Sequence, residues 1–207
     1  ALNAFRIDDA VDLVSRIPAL HIAVGSSGQS GAMNLRGVGT SAISNAFDSA
    51  IALNYDGISV STQRLLQAAF FDVEQIDMLK GPQSLFFGKA ASGGVLAFRS
   101  ASPTPEWEYG LTTSYEFEEE GTTVGGYLSG PINDTLGIRV AAEAQNIDKW
   151  VEIAPGNPTT RPDRGIENIM ARVSVEWEPN EDLVASLKLD YNRQRADILQ
   201  SHLDIFC

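Results

Sequence analysis

Apolar and polar residues are spaced in two different ways along this chain, and the change falls near residue 102. Before it, apolar positions come in short groups separated by glycine. Ala10, Leu13, Val14 and Ile17 stand at i, i+3, i+4 and i+7, the spacing of one helical face. Asp8 and Asp9 can cap that helix, and Pro18 ends it. Gly25 to Gly31 reads as a loop. A short strand over Met33 to Arg36 then runs into Gly37-Val38-Gly39. Ile51 to Tyr55 and Ile58 to Val60 flank Asp56-Gly57, which predicts a tight hairpin. Asp72 is placed to cap one helical turn before a strand over Ile76 to Leu79. Gly81-Pro82 stops that strand, and Pro82 suits the first turn of a helix ending near Gly88. Val95 to Phe98 forms the last short strand.

After residue 102 the period becomes two. Trp107, Tyr109, Leu111, Thr113, Tyr115 and Phe117 alternate with small or polar residues. The same alternation returns over Leu136 to Gln145, Asn168 to Trp177 and Ala185 to Asn192, with a weaker strand over Thr122 to Ser129. Each run approaches the roughly 9–11 residues of a tilted membrane strand. Trp107, Phe117 and Trp177 stand at strand ends, where aromatic girdles belong. Gly130 to Asp134 and Pro179 to Asp182 are predicted as tight turns, whereas Asp148 to Gly165 is long. Short turns on one side and longer loops on the other fit an outer-membrane barrel; Glu118 to Gly121 is the least typical joint. A soluble β-sandwich alternates in the same way, so periodicity alone leaves both readings open.

Charge sharpens the division. Residues 1–102 hold 7 basic and 8 acidic side chains, and residues 103–207 hold 8 basic and 19 acidic. The net charge of −12 argues against a nucleic-acid partner, which would select a basic stripe. Ser102-Pro103-Thr104-Pro105 reads as the linker between a domain over 1–102 and one over 103–207. Ala1 to Ile7 has neither the basic nor the apolar region of a signal peptide. No apolar run approaches the ~20 residues of a membrane helix, so any bilayer crossing is expected to use strands. Cys207 stands alone and cannot form an internal disulfide.

Candidate chemistry is sparse. Gly37 to Ala42 fits G-x-G-x-x-G/A, but Ile43 to Asp48 make a weak helix opening, so a dinucleotide site is not expected. A phosphate loop ending at Gly88-Lys89-Ala90 lacks its first glycine at Gln83 and its hydroxyl at Ala90. His21 and His202 have no partner cluster for zinc. Neither catalysis nor a cofactor is indicated.

Several elements between Met33 and Pro103 resemble the plug of TonB-dependent outer-membrane receptors. Asn34-Leu35-Arg36-Gly37 is similar to the family's Ile-Arg-Gly element, and Tyr55-Asp56-Gly57-Ile58 to its Asp-Gly-Val/Ile hairpin. Val73 to Pro82 resembles "Ile-Glu-Arg-Ile-Glu-Val-Leu-Arg-Gly-Pro". Leu85 to Gly88 and Ser92 to Val95 resemble "Leu-Tyr-Gly" and "Gly-Gly-Val". Ile17 to Leu20 resembles "Pro-Gly-Val", with Ala19 in place of glycine.

The resemblance implies an α+β plug domain over 1–102, followed over 103–207 by about five antiparallel strands of an incomplete transmembrane β-barrel. It implies residence in the outer membrane of a Gram-negative bacterium, in contact with its lipid. Uptake would be driven by a TonB-type energy-coupling protein of the inner membrane, with a ferric siderophore as the commonest cargo. A passive or adhesive barrel, or a soluble nucleotide enzyme, would be the alternatives. By the resemblance, Arg36 and Lys80 would lock the plug to barrel carboxylates. Lys80 replaces the usual arginine and loses its bidentate fork. By position on apical plug loops, Gln29, Asn45, Phe47, Gln63 and Arg64 would contact ligand.

Overall fold

The computed structural model describes residues 10–24, 30–39, 50–60, 69–88, 91–117, 120–147 and 165–196. Helix α1 (Ala10–Arg16) is followed by β1 (Leu20–Val24), β2 (Ser30–Leu35) and β3 (Val38–Gly39), which form one antiparallel sheet in that order. A second sheet has the order β5-β4-β7-β6, from β4 (Ile51–Tyr55), β5 (Ile58–Val60), β6 (Val73–Lys80) and β7 (Gly94–Ser100). Only β4 and β7 pair in parallel there. A single-turn helix, α2 (Ser84–Phe87), joins β6 to β7.

The predicted helical face is real: Leu13 is buried, with Val14 and Ile17 packed beside it. It shares one core with Leu20, Met33, Leu35, Ile51, Leu53, Leu96 and Phe98, so α1 and both small sheets bury their apolar sides together. The Asp56-Gly57 hairpin forms as expected, with φ of 47° and 87°. Arg36 and Gly37, at 53° and 79°, make a second hairpin turn of the same hand, where the sequence suggested a strand continuing through Arg36. Gly94 is required for space. A Cβ there would lie 2.6 Å from the Leu79 carbonyl oxygen.

Five strands among the described residues after 107 form a third sheet, ordered β12-β11-β10-β9-β8 and antiparallel throughout. Its strands are β8 (Glu108–Glu116), β9 (Gly121–Asn133), β10 (Leu136–Ile147), β11 (Ile166–Asn180) and β12 (Leu183–Ala196). They exceed the predicted runs because alternation weakens at polar ends while the backbone ladder continues. The turn expected over Gly130 to Asp134 narrows to Asp134-Thr135, with an irregularity in register beside Leu136.

Register fixes the two faces, since directly opposed residues share a side. Tyr109, Leu128, Val140, Val173 and Leu189 form one row, and Leu111, Gly126, Ala142, Ala171 and Tyr191 the next. On β10 the apolar rows run from Leu136 to Ala144, about 27 Å along the strand. With barrel-like tilt this spans roughly 20 Å of membrane thickness. Tyr109 is 84% exposed and Leu111 78%, so nothing among the described residues covers this side. The opposite rows hold Arg139, Ser174 and Arg172, all buried, and the first half packs there. A sandwich would bury its apolar side instead. The observed orientation is that of a barrel wall around a stopper. None of the described helices is long and apolar enough to cross a membrane.

Candidate functional site

The seam between the first half and the long sheet gathers the charged groups that the structure buries. Asp72 is its centre. The helical turn expected after Asp72 is absent. Asp72 instead closes a turn at φ 51°, a conformation that Asp tolerates better than most residues, and β6 begins at the next residue. Its two carboxylate oxygens share the single N–H of Arg139 Nε, at 3.0 and 3.2 Å, and one of them also accepts from Arg139 Nη2. Both side chains are more than nine-tenths buried. The Arg139 guanidinium also lies 4.1 Å from the Tyr127 ring centre, and Tyr127 in turn covers Gly110. A side chain at Gly110 would collide with that ring.

Arg172 makes the second contact. Nη1 donates to the carbonyl oxygens of Phe71 (2.9 Å) and Asp72 (3.1 Å), while Nε donates to Asp190 (2.6 Å). Its guanidinium lies 5.2 Å from the Phe71 ring and 5.3 Å from that of Tyr55. Burial pushes the Tyr55 hydroxyl far above its ordinary range despite Arg172, so the ring stays neutral. Phe71, Ala141 and Met170 supply the apolar contact between these polar groups. A gap of about 290 Å³ remains beside them, lined chiefly by Leu53, Tyr55, Phe71, Phe98, Met170 and Arg172.

Asp56 makes the third. Its carboxylate accepts the Ser100 N–H (2.9 Å) and Ser100 Oγ–H (2.6 Å), and Lys188 Nζ lies 3.2 Å away. Lys188 also donates to Ser100 Oγ (2.6 Å). Burial raises the pKa of Asp56. The Ser100 hydrogen bonds and Lys188 outweigh that and hold it below the usual carboxylate range. The Ser102–Pro105 segment is fastened too, since Thr104 N–H and Oγ1–H both donate to Ser129 Oγ at 2.9 Å.

Of the residues expected to matter from sequence, Arg36 and Lys80 are exposed on the first half. Gln29, Asn45, Phe47, Gln63 and Arg64 lie outside the described residues, as do the Asp8-Asp9 cap, most of the Asp148–Gly165 loop, Glu118-Glu119, His202 and Cys207. Of the glycine motif, Gly37 sits in a hairpin turn and Val38-Gly39 in a strand, not at the start of a helix. Sequence reasoning missed the seam itself. Asp56 read as a turn former and Asp72 as a cap. Arg139, Arg172 and Lys188 read as ordinary members of a polar face. The available signal was three cations at positions of the polar, inward-facing period of β10, β11 and β12.

Residues 1–95 match the TonB-dependent Receptor Plug Domain family. The match runs from α1 through β6 and ends at the start of β7. Over these residues the chain is a plug domain of the TonB-dependent receptor type. Among curated relatives, the pesticin receptor of Yersinia pestis is 28% identical over 181 residues, covering 82% of this chain and 25% of the relative. The ferric enterobactin receptor PirA of Pseudomonas aeruginosa is 27% identical over 135 residues, covering 59% and 18%. Among solved structures, the ferric yersiniabactin uptake receptor FyuA from Yersinia pestis superposes with a TM-score of 0.65 at 25% identity, over 84% of this chain and 27% of that one. The pyoverdine receptor FpvA from Pseudomonas aeruginosa PAO1 gives 0.71 at 15% identity, over 93% and 26%, a likeness of fold. The chain spans about a quarter of the length of the pesticin receptors it matches. The fold is therefore a plug followed by barrel strands, with the barrel unclosed.

Proposed function

We propose that the whole protein is an active-transport receptor of the outer membrane, driven by a TonB-type energy-coupling protein of the inner membrane. The plug would extend over residues 1–102 and the first barrel strands over 103–207. The observation that carries this reading is the seating of the plug. It packs on the polar side of a sheet whose apolar side is left for lipid. A passive pore has no need of such a stopper.

A ferric siderophore is the cargo class best supported, because a ferric yersiniabactin uptake receptor and a ferric enterobactin receptor resemble this chain. In this reading Gln29, Asn45, Phe47, Gln63 and Arg64 contact the cargo from the plug's apical loops. Arg36 and Lys80 hold the plug to wall carboxylates beyond this chain.

The test is uptake of radio-iron by cells bearing the full-length protein. Ferric yersiniabactin and ferric enterobactin are the first probes, in tonB-proficient and tonB-deficient hosts. Saturable uptake lost without TonB supports the reading. Non-saturable, TonB-independent entry points to a passive barrel.

A further inference from the structure

We propose that the charge pattern on the inner face of β10–β12 fixes the rotational setting of the plug within the wall. The inference rests on the plug-and-wall reading and goes beyond the Arg36 and Lys80 lock. Among the described residues the wall carries five cations: Arg139, Arg172, Lys188, Arg193 and Arg195. By register, Arg193 and Arg195 fall on the outward side, in the rows of Ile169 and Glu167. The other three face inward, and all three meet the plug. Among the described residues, the ion pairs between the two parts have one polarity, with the carboxylate on the plug and the cation on the wall.

The surrounding inner face is acidic. Glu108 shares the row of Ser129, Arg139, Ser174 and Lys188, two strands from Arg139, or about 10 Å away. Asp190 lies on the inner side of β12 one row above Lys188, and Glu176 on β11 one row below Arg139. A plug turned toward β8 would set its carboxylates against Glu108. One raised by a row would set Asp56 against Asp190, and one lowered by a row would bring Asp72 toward Glu176. Attraction at one setting and repulsion at its neighbours is how a charged interface selects register.

Both plug carboxylates also sit on rigid turns at positive φ, Asp56 at 47° and Asp72 at 51°. Their positions are set by the backbone rather than by a flexible side chain. Asparagine tolerates the same conformation, so Asp→Asn removes charge while keeping each turn.

The reporter is a cysteine pair, Phe71→Cys with Ala141→Cys, whose parent side chains share one apolar cluster across the seam. It is placed in full-length protein carrying Cys207→Ser and bridged with a short bis-maleimide in outer membranes. Arg139→Glu is expected to lower the bridging yield about tenfold, as expected for loss of a coupled buried pair. Adding Asp72→Asn should restore the yield to that of Asp72→Asn alone, because the repulsion is gone. An unchanged yield in Arg139→Glu, or no relief from Asp72→Asn, overturns the proposal. If heat-modifiable gel migration shows that Arg139→Glu does not fold, the Arg139→Gln and Asp72→Asn cycle replaces it. Strictly additive losses there overturn the proposal equally. TonB-dependent uptake is scored separately in the parent protein, so failure of the transport reading would leave this coupling intact, and the converse.

Discussion

The plug and the wall bury opposite kinds of side chain. In the plug, Met33, Ile51, Val95 and Leu96 are wholly inside, and Glu74, Asp77, Lys80 and Arg99 stay at the surface. In the wall, Arg172 and Ser174 are almost fully buried while Leu111, Leu187 and Leu189 are bare. The two parts obey one rule in different solvents. Each hides from its surroundings what those surroundings cannot satisfy, water for the plug and hydrocarbon for the wall. Where they meet, both solvents are largely excluded, and buried charge finds its partner in the other part.

The comparison breaks most readily at that meeting. Arg139→Ala strands Asp72 in a buried site and should cost about 3–5 kcal/mol of plug–wall attachment. Limited proteolysis of the full-length protein should then cut the plug while the wall stays intact. Next in size is a charge on the outer face. Val140→Lys should destabilise the barrel in bilayers by about 2–4 kcal/mol, read from denaturant-driven unfolding in vesicles, whereas lysine at inward-facing Thr112 should cost far less.

A smaller effect is expected from Asp56→Asn, about 1–2 kcal/mol by plug protection from protease, because Asp56 and Lys188 retain some solvent access. This site also carries the pH dependence. The folded-state pKa of Asp56 is lowered, so its contribution is fully present above the unfolded value and lost as the pH falls through the folded one. Plug protection should therefore be flat from about pH 5 to 8 and fall only below about pH 4. Asp56→Asn should flatten that acid limb. Smallest of all, Leu85→Ser on α2 should change plug stability by no more than about 0.5 kcal/mol, since Leu85 is exposed among the described residues.

Local pattern made much of this legible. Leu13, Val14 and Ile17 announced their helix, Asp56-Gly57 its hairpin, and the period-two runs each wall strand. These features depend on neighbours in sequence. The seam's ion pairs join residues 67 positions apart (Arg139 with Asp72) and still farther apart (Lys188 with Asp56), and no local spacing encodes such pairs. Asp56 and Asp72 misled further, because the residue that suits a turn is also one that can grip a cation. Alternation on Tyr109 to Tyr115 could not say which solvent the apolar face meets. The packing of the plug on the other face answered that.

The central claim is that one side of β10 meets lipid and the other meets the plug. Spin labels placed singly from Gly137 to Gln145 in the full-length protein, reconstituted in bilayers, test it most directly through collision with oxygen and with a water-soluble nickel chelate. Labels at Ile138, Val140, Ala142 and Ala144 should collide with oxygen and be shielded from nickel, and those at Arg139, Ala141 and Glu143 should be immobilised and shielded from both. Oxygen accessibility without a two-residue period, or highest at the odd-numbered positions, would contradict the account.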